Sequence, residues 1–185
     1  MIELKTVNAG LKKDLGDVNL LALPRLEKVV LNCGIGRMKD DKGFVGEVVN
    51  TFKTVSGQKP VMTKAKKAIA GFKVREGDAV GVMVTLRGKR MLSFIERLAN
   101  IALPRIRDFK GLKFNNFDRQ GNYTLAVKEQ VIFPEIPYDK VSHTHGFQIT
   151  FKILNGTPAT SRKLLEKLGL PFEKDNTQNT GVKNG

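Results

Sequence analysis

The chain has 185 residues, of which 41% are hydrophobic, and its 32 Lys and Arg side chains outnumber its 18 Asp and Glu side chains to give a formal net charge of +14. A hydrophobic fraction of that size can build a core, so the composition excludes wholesale disorder and a purely polycationic tail. The sequence contains no apolar run near the roughly 18 residues of a membrane-spanning helix, so we expect the chain not to span a membrane.

The first third of the chain predicts a helix, a strand and a second helix. Apolar residues at helical spacing predict a short helix before residue 21, and strict alternation predicts a strand over 26–33. Asp40 and Asp41 can cap the next helix, which Gly57 would end. The apolar stripe of the first helix consists of Leu11, Leu15 and Val18.

The middle of the chain predicts two strands and a helix. The strands cover residues 59–64 and 80–87, and a basic loop that contains Gly71 and Gly77 joins them. An amphipathic helix follows over 90–102 and would end before Pro104, which cannot continue a helix.

The last third predicts two further strands, over 123–128 and 147–153, and a final helix. Thr157 can cap that helix with Pro158 in its first position. We expect residues 1–174 to form one domain and residues 175–185 to be a polar tail without fixed structure.

Interspersed strands and helices favour an α+β fold, in which a mostly antiparallel sheet carries helices on its apolar face as a two-layer sandwich. The opposite face would bear small polar and basic groups instead of the aromatic pairs that stack splayed bases. Such groups can bond the phosphates and 2′-hydroxyls of an A-form helix, although an ordinary solvated face remains the alternative. The predicted polar face comprises Lys28, Asn32, Thr85, Arg87, Thr124, Gln148, Thr150 and Lys152.

Positive charge is concentrated in the middle of the chain. Residues 59–113 hold fourteen basic and four acidic side chains, a net charge of +10, whereas residues 1–58 and 114–185 each carry +2. These positive charges repel one another in a folded chain, so their concentration indicates a polyanionic partner, either a nucleic acid or an acidic membrane surface.

The sequence lacks a convincing catalytic or metal-binding motif. Gly34 and Gly36 form only half of a dinucleotide fingerprint, and His143 and His145 lack an evident third ligand. Cys33 falls on the apolar face of a strand, where a buried thiol is the expected state. We therefore expect neither an enzyme nor a cofactor and favour a reducing, cytoplasmic setting.

Four runs, in order and at characteristic spacing, closely resemble one family, the bacterial-type large-subunit ribosomal protein universally numbered five. The resemblance extends over about residues 4–174. Family members have a concave antiparallel sheet, with helices behind it, that holds a helical arm of 5S ribosomal RNA in the central protuberance of the large subunit. The four runs are ALPRLEKVVLNCGIG from Ala22, SGQKPVMTKAKKA from Ser56, LRGKRMLSFIERLANIALPRIRDFKG from Leu86 and FDRQGNYTLAVKEQVIFPEI from Phe117.

The resemblance implies two sets of RNA contacts and several partners. The ribosomal RNA contacts would be Asn32, Gln58, Thr63, Lys64, Lys66, Lys67, Thr85 and Arg87. The contacts to transfer RNA in the peptidyl site would be Phe72, Lys73, Val74, Arg75, Glu76 and Gly77. Residues 137–146 would form an intersubunit bridge to small-subunit ribosomal protein thirteen, and 23S ribosomal RNA and other central protuberance proteins would be further neighbours.

Residues 145–149 depart from the family pattern, because this chain has HGFQI where the family usually reads close to RGMDI. Two other functions remain open. The first is a basic nucleic-acid-binding protein outside the ribosome, such as a nucleoid or RNA-chaperone factor. The second is an RNA-modifying enzyme, which would need a cofactor pocket or an activated nucleophile.

Overall fold

The computed structural model describes residues 4–16 and 19–173. Its five strands form one antiparallel sheet in the order β2-β3-β1-β5-β4, which confirms the predicted α+β class. The strands are β1 Arg25–Gly34, β2 Val61–Lys64, β3 Ala79–Leu86, β4 Tyr123–Val127 and β5 Phe147–Leu154. The helices are α1 Leu4–Leu15, α2 Lys42–Ser56, α3 Gly88–Arg97 and α4 Pro158–Lys167.

Alternation along the central strands separates the two faces of the sheet. In β1, Val29, Leu31 and Cys33 are at most 3% exposed, whereas the intervening Asn32 is exposed. The buried face of the sheet joins α1, α2, α3 and α4 in one hydrophobic core, with Phe52 fully buried at its centre. All the larger helices that contribute to this core therefore leave the other face of the sheet open.

The predicted helix caps are confirmed. Asp41 Oδ1 accepts hydrogen bonds from the backbone N–H groups of Gly43 at 2.8 Å and Phe44 at 3.1 Å, and Gly57 ends α2 in the left-handed conformation. Thr157 caps α4 through a capping box. Each N-cap stabilises its helix by about 1 kcal/mol, so local sequence fixes where these helices begin.

Several helix and strand ends differ from the prediction, and the ends of the first and third helices differ most. The first helix ends at Leu15, and the expected helical position Val18 lies outside the described residues. The third helix loses regular α geometry after Arg97 and continues as a π-helical turn over Leu98–Ala102. Pro104 explains this widening, because its ring clashes with the carbonyl group four residues earlier in a regular helix.

Within the described ranges, every helix is too short or too polar to cross a membrane. The predicted polar tail, residues 175–185, lies outside those ranges. The described part of the chain is thus a sheet with one covered face and one open face.

Candidate nucleic-acid interface

Strand register places the polar side chains of the open face in rows that cross the sheet. Val30 in the central strand is paired with Thr85 on one side and with Thr150 on the other, and Thr150 is paired in turn with Thr124. The hydroxyl oxygens of Thr124 and Thr150 are 3.3 Å apart and share a hydrogen bond. The row therefore presents three hydroxyl groups, with Thr124 and Thr150 on neighbouring strands about 4.8 Å apart and Thr85 two strands from Thr150, beyond Val30.

A second row lies beside the first. Asn32 is paired with Met83 and with Gln148, and both Asn32 and Gln148 are exposed. Their amide groups can both donate and accept hydrogen bonds. The row continues to Ala126 on β4, whose small methyl side chain projects little from the sheet.

Thr63 lies over a glycine on this face. Gly81 is paired with Thr63, and a Cβ atom added at Gly81 would be only 2.7 Å from Thr63 Oγ1 and 3.1 Å from the backbone oxygen of Cys33. An alanine at this position would force the Thr63 hydroxyl to move and the Cys33 backbone to shift slightly. The absence of a side chain at Gly81 thus leaves room for the Thr63 hydroxyl on the open face.

Gln58 and Arg87 lie at the end of the sheet, outside the strands. Gln58 Nε2 donates to the backbone oxygen of Thr85 at 2.8 Å, and Gln58 Oε1 accepts from Arg90 at 3.4 Å. The prediction that Arg87 belongs to the polar face of β3 is wrong in detail. The strand ends at Leu86, and Arg87 is the N-cap residue of α3 because Gly88 begins the helix.

Arg87 remains accessible at that position. Its side chain is 56% exposed and forms an ion pair with Glu27 at 3.1 Å. An exposed pair of this kind contributes at most about 1 kcal/mol, so an RNA phosphate could compete for the guanidinium group. The structure therefore keeps Arg87 at the border of the open face.

The basic loop, defined as residues 65–78, projects from the ends of β2 and β3. Two backbone hydrogen bonds close its base, from Ala65 N to Asp78 O at 2.8 Å and from Gly77 N to Ala65 O at 3.0 Å. Nearer the tip, Ile69 and Val74 form an isolated antiparallel bridge. The intervening Phe72 is 74% exposed, and Lys73 adopts the left-handed conformation with φ of 52°.

One lysine outside the loop holds it in place. Lys39 Nζ donates to the backbone oxygen of Lys73 at 2.6 Å and forms a close ion pair with Asp78. Asp78 also accepts a hydrogen bond from the Arg75 backbone N–H at 2.9 Å. The hydrogen bonds from Lys39 and then from Arg75 lower the pKa of Asp78, so its carboxylate stays ionised at neutral pH.

The central block of positive charge is largely uncompensated. Of its fourteen cations, only Arg87 and Arg97 have a carboxylate within ion-pair distance among the described residues. The predicted contact residues Lys64, Lys66 and Lys67 are all exposed. Their ammonium groups are therefore available to a polyanion along the edge where the basic loop meets the sheet.

The remaining predicted loop residues also lie at the surface. Arg75, Glu76 and Gly77 are exposed, whereas Val74 is half-buried. The structure therefore separates the predicted contacts into an ordered sheet surface and a projecting loop, with Thr63 and Lys64 between them.

The two histidines lie in different environments. The His143 ring is 3.4 Å from Glu47 Oε2 and 3.9 Å from Asp41 Oδ2, whereas His145 is buried against Phe44. Within the described residues, no group of three or more His, Cys, Asp and Glu side chains has the geometry to hold a metal ion. Cys33 is buried as predicted, and burial raises the pKa of its thiol.

Two positioning residues were missed by sequence reasoning. Besides Lys39, Glu47 accepts hydrogen bonds from the backbone N–H groups of Ser142 and His143, each at 3.1 Å, and so fastens residues 141–143 to α2. Both contacts join segments that are far apart in the chain, and no periodicity or motif signals them. A third feature, the close approach at Gly81, had a weak signal, because a glycine interrupts a strand that is rich in β-branched residues.

Comparison with known proteins identifies the family. Residues 19–75 match the family model described as ribosomal protein L5, and residues 79–172 match the model that describes the C-terminus of the same ribosomal protein family. The large ribosomal subunit protein uL5 of Natranaerobius thermophilus is 49% identical over 90% of this chain and 93% of its own length. The uL5 protein of Ureaplasma parvum serovar 3 is also 49% identical, over 91% of both chains.

These matches confirm the resemblance on which the sequence interpretation depends. Together the two family models include all five strands of the sheet. Members of the family are structural and non-enzymatic. The chain therefore belongs to the ribosomal protein L5 (uL5) family and is a structural constituent of the large ribosomal subunit.

Proposed function

We propose that the open face of the sheet binds a helical segment of 5S ribosomal RNA within the central protuberance. The observation that carries this proposal is the row of hydroxyl groups from Thr85, Thr150 and Thr124, together with the adjacent amides of Asn32 and Gln148. These groups are small, fixed by strand register and free of projecting aromatic rings. They suit the shallow groove and 2′-hydroxyl groups of an A-form helix.

The uncompensated lysines supply affinity, whereas the sheet supplies fit. Lys64 is exposed at the end of β2, and Lys66 and Lys67 are exposed at the start of the basic loop. All three can neutralise phosphates without breaking an ion pair among the described residues. Contacts to phosphates position an RNA without reading its sequence. Selectivity for 5S RNA then depends on the shape of the sheet surface and on its polar groups. A further RNA neighbour, 23S ribosomal RNA, would contact the exposed lysines at the edge of the sheet.

The basic loop contacts transfer RNA in the peptidyl site. Support comes from its composition and its anchoring, because Lys73 and Arg75 are exposed near the tip while Lys39 bonds both the Lys73 backbone and Asp78 at the base. Phe72, Val74, Glu76 and Gly77 complete this contact region. Exposed cations on a projecting loop can bind the phosphates of a moving RNA electrostatically, without forming a large buried interface.

Residues 137–146 contribute to a bridge toward small-subunit ribosomal protein thirteen. This segment is polar and largely exposed, and Glu47 fixes the backbone of its central part. A protein neighbour in the central protuberance could contact the same edge. Residues 145–149 depart from the family pattern, so we carry no individual bridge contact over to those positions.

A footprinting experiment on 5S RNA tests the main proposal. The purified chain should protect one helical arm of 5S RNA and should not protect an unrelated RNA duplex of equal length at near-physiological salt. Equal binding to the unrelated duplex, or to duplex DNA, would instead favour a general nucleic-acid-binding role. Sedimentation of the chain with large subunits provides an independent check in cells.

A further inference from the structure

A pocket of about 1210 Å³ lies beneath the basic loop, between it and the C-terminal end of β1. Its walls are mainly apolar and include Ile35, Phe44, Ile69, Val74 and Val80. Ligand pockets are usually of roughly 300–1,000 Å³, so this one has room for a nucleotide and its solvent. The lining includes five of the RNA contacts proposed above, but those contacts do not account for its apolar walls at Ile35, Phe44 and Val80. The five are Lys66, Lys67, Phe72, Lys73 and Val74.

Cations line part of the same pocket. Lys66, Lys67 and Lys73 all contribute to it, and none of the three has a carboxylate partner within the described part of the chain. Asp40 is the one acidic residue among the lining residues. Apolar walls beside exposed ammonium groups are complementary to a flat, uncharged ring that carries a phosphate.

His145 adds a buried polar group to the pocket wall. Its backbone N–H donates to Gln130 Oε1 at 2.7 Å, and its ring Nδ1 is 3.3 Å from the backbone oxygen of His143. Since a carbonyl oxygen can only accept, Nδ1 carries the proton, and burial lowers the pKa of this imidazole and keeps it neutral.

Nε2 of the same ring is therefore an acceptor. It is buried and lacks a hydrogen-bond partner among the described residues. A buried polar atom without a partner is costly, typically about 1–3 kcal/mol, and indicates a group that a ligand would satisfy. His145 lines the pocket while Nε2 itself is covered, so a ligand that offers an N–H group would meet that need once the ring or a neighbouring side chain shifts.

We propose that the pocket receives a single unstacked nucleotide of an RNA partner, with the base between the apolar walls and the phosphate at the lysines. The base would donate an N–H group to His145 Nε2. This inference rests on the proposed RNA-binding function, and it adds a nucleotide site that is separate from the open sheet face. Two RNAs could supply the nucleotide, the transfer RNA at the basic loop or 5S RNA.

Nucleotide titrations of the full chain test this site by NMR. Adenosine monophosphate should shift the methyl signals of Ile35, Ile69, Val74 and Val80. Ribose 5-phosphate, which has no base, should bind at least about fivefold more weakly, the lower end of what base stacking contributes. N6,N6-dimethyladenosine monophosphate keeps the ring and phosphate but loses the N–H donor, and it should bind about two- to tenfold more weakly than the unmodified nucleotide.

Matched variants locate the binding. Ile69→Ala removes an apolar wall residue that is 51% exposed, and it should weaken binding of adenosine monophosphate severalfold. Leu21→Ala removes another exposed aliphatic side chain, 80% exposed and outside the pocket, and should leave that binding unchanged. Equal affinity for ribose 5-phosphate and adenosine monophosphate would overturn the inference, because phosphate attraction alone would then explain the binding.

Competition with whole RNA then identifies the source. Either transfer RNA or 5S RNA, added separately, should reproduce the methyl shifts and displace the mononucleotide, and the RNA that does so is the partner. If the chain binds 5S RNA while neither RNA affects these methyl groups, the nucleotide site is refuted and the proposed function stands. If 5S RNA does not bind at all, the proposed function fails, and the titration with transfer RNA still tests whether the pocket binds a nucleotide.

Discussion

The open sheet face and the basic loop both present RNA-compatible groups, but the structure holds them in place in different ways. Asn32 lies on a central strand that is hydrogen-bonded on both sides and backed by a fully buried core. The tip of the basic loop, in contrast, depends on an isolated bridge between Ile69 and Val74 and on contacts from Lys39. The fold preorganises the open sheet face, whereas only a few contacts hold the basic loop in place.

This difference matches two kinds of binding. A preorganised surface loses little conformational entropy when it binds, which favours a long-lived complex. A loop with few buried contacts belongs to the low-stability part of a protein and can adjust to a partner that comes and goes. Under the proposed function, this difference fits lasting RNA attachment at the sheet and transient contact at the loop.

The largest expected effect is the dependence of 5S RNA affinity on salt. If six or more phosphates are neutralised, affinity should fall at least about 10³-fold between roughly 50 and roughly 200 mM salt. Lys64→Gln should reduce the slope of the log-log plot by about 0.7–0.9, whereas Thr85→Ala should lower affinity without changing the slope. Filter-binding titrations measure both, and a slope change for Thr85→Ala would argue against the division between charge and fit.

Next in size is the effect of adding one methyl group under Thr63. In Gly81→Ala the new Cβ would meet Thr63 Oγ1 at 2.7 Å, so we expect a loss of about 1–3 kcal/mol in the free energy of unfolding and weaker 5S RNA binding. Gly34→Ala is the matched control, because Gly34 is the β1 partner of Gly81 and its added Cβ would meet nothing within 4 Å. Equal denaturation midpoints for the two variants would contradict the close approach at Gly81.

Single polar truncations should have a smaller effect and separate the two regions. Asn32→Ala should weaken 5S RNA binding about two- to tenfold, the range for one hydrogen bond, with no change in thermal stability. Arg75→Ala should leave 5S RNA binding unchanged and reduce only the contact with transfer RNA. Asn50→Ala, on the exposed side of α2, is a control that should affect neither RNA.

The smallest expected effect is a pH-dependent release of the basic loop. The pKa of Asp78 is lowered by its hydrogen bonds to Lys39 and Arg75, so the anchor is complete above the ordinary pKa of an aspartate and is lost as pH falls through the lowered value. The amide signal of Arg75 should report this transition by NMR below about pH 4.

Two substitutions check the origin of that transition. Asp78→Asn should abolish the titration of the Arg75 amide, and Lys39→Met should move its midpoint to higher pH. Neither change should alter 5S RNA affinity at neutral pH, because the anchor lies in the loop and not on the open face. Loss of 5S RNA binding in Lys39→Met would show that the two regions are not independent.

Sequence reasoning predicted the local structure well wherever one short segment determines it. Alternation identified the buried and open faces of β1 and β5, and the side chains of Asp41 and Thr157 marked where their helices begin. Arg87 shows the limit of that reasoning, because alternation alone does not tell where a strand gives way to a helix that starts at Gly88.

The anchoring contacts could not be predicted, because they depend on how distant segments meet. Lys39 reaches Asp78 only after α2, β2 and the basic loop have been placed, and Glu47 meets Ser142 across 95 residues of chain. The pocket beneath the loop has the same origin. The residues at its walls come from β1 and the turn after it, α2, the loop, β3 and the segment before β5, and no single run of sequence contains them.

The central claim is that 5S RNA lies on the open face of the sheet, and tethered hydroxyl-radical cleavage tests it most directly. Cys33 is buried, so a cleavage reagent can be attached selectively to a new cysteine at an exposed amide on either side of the sheet. From Gln148→Cys, on the open face, strong cuts should appear in one helical arm of 5S RNA, whereas Asn50→Cys, on α2, should give few. Strong cuts from Asn50→Cys and none from Gln148→Cys would contradict the claim and place the RNA on the helical layer.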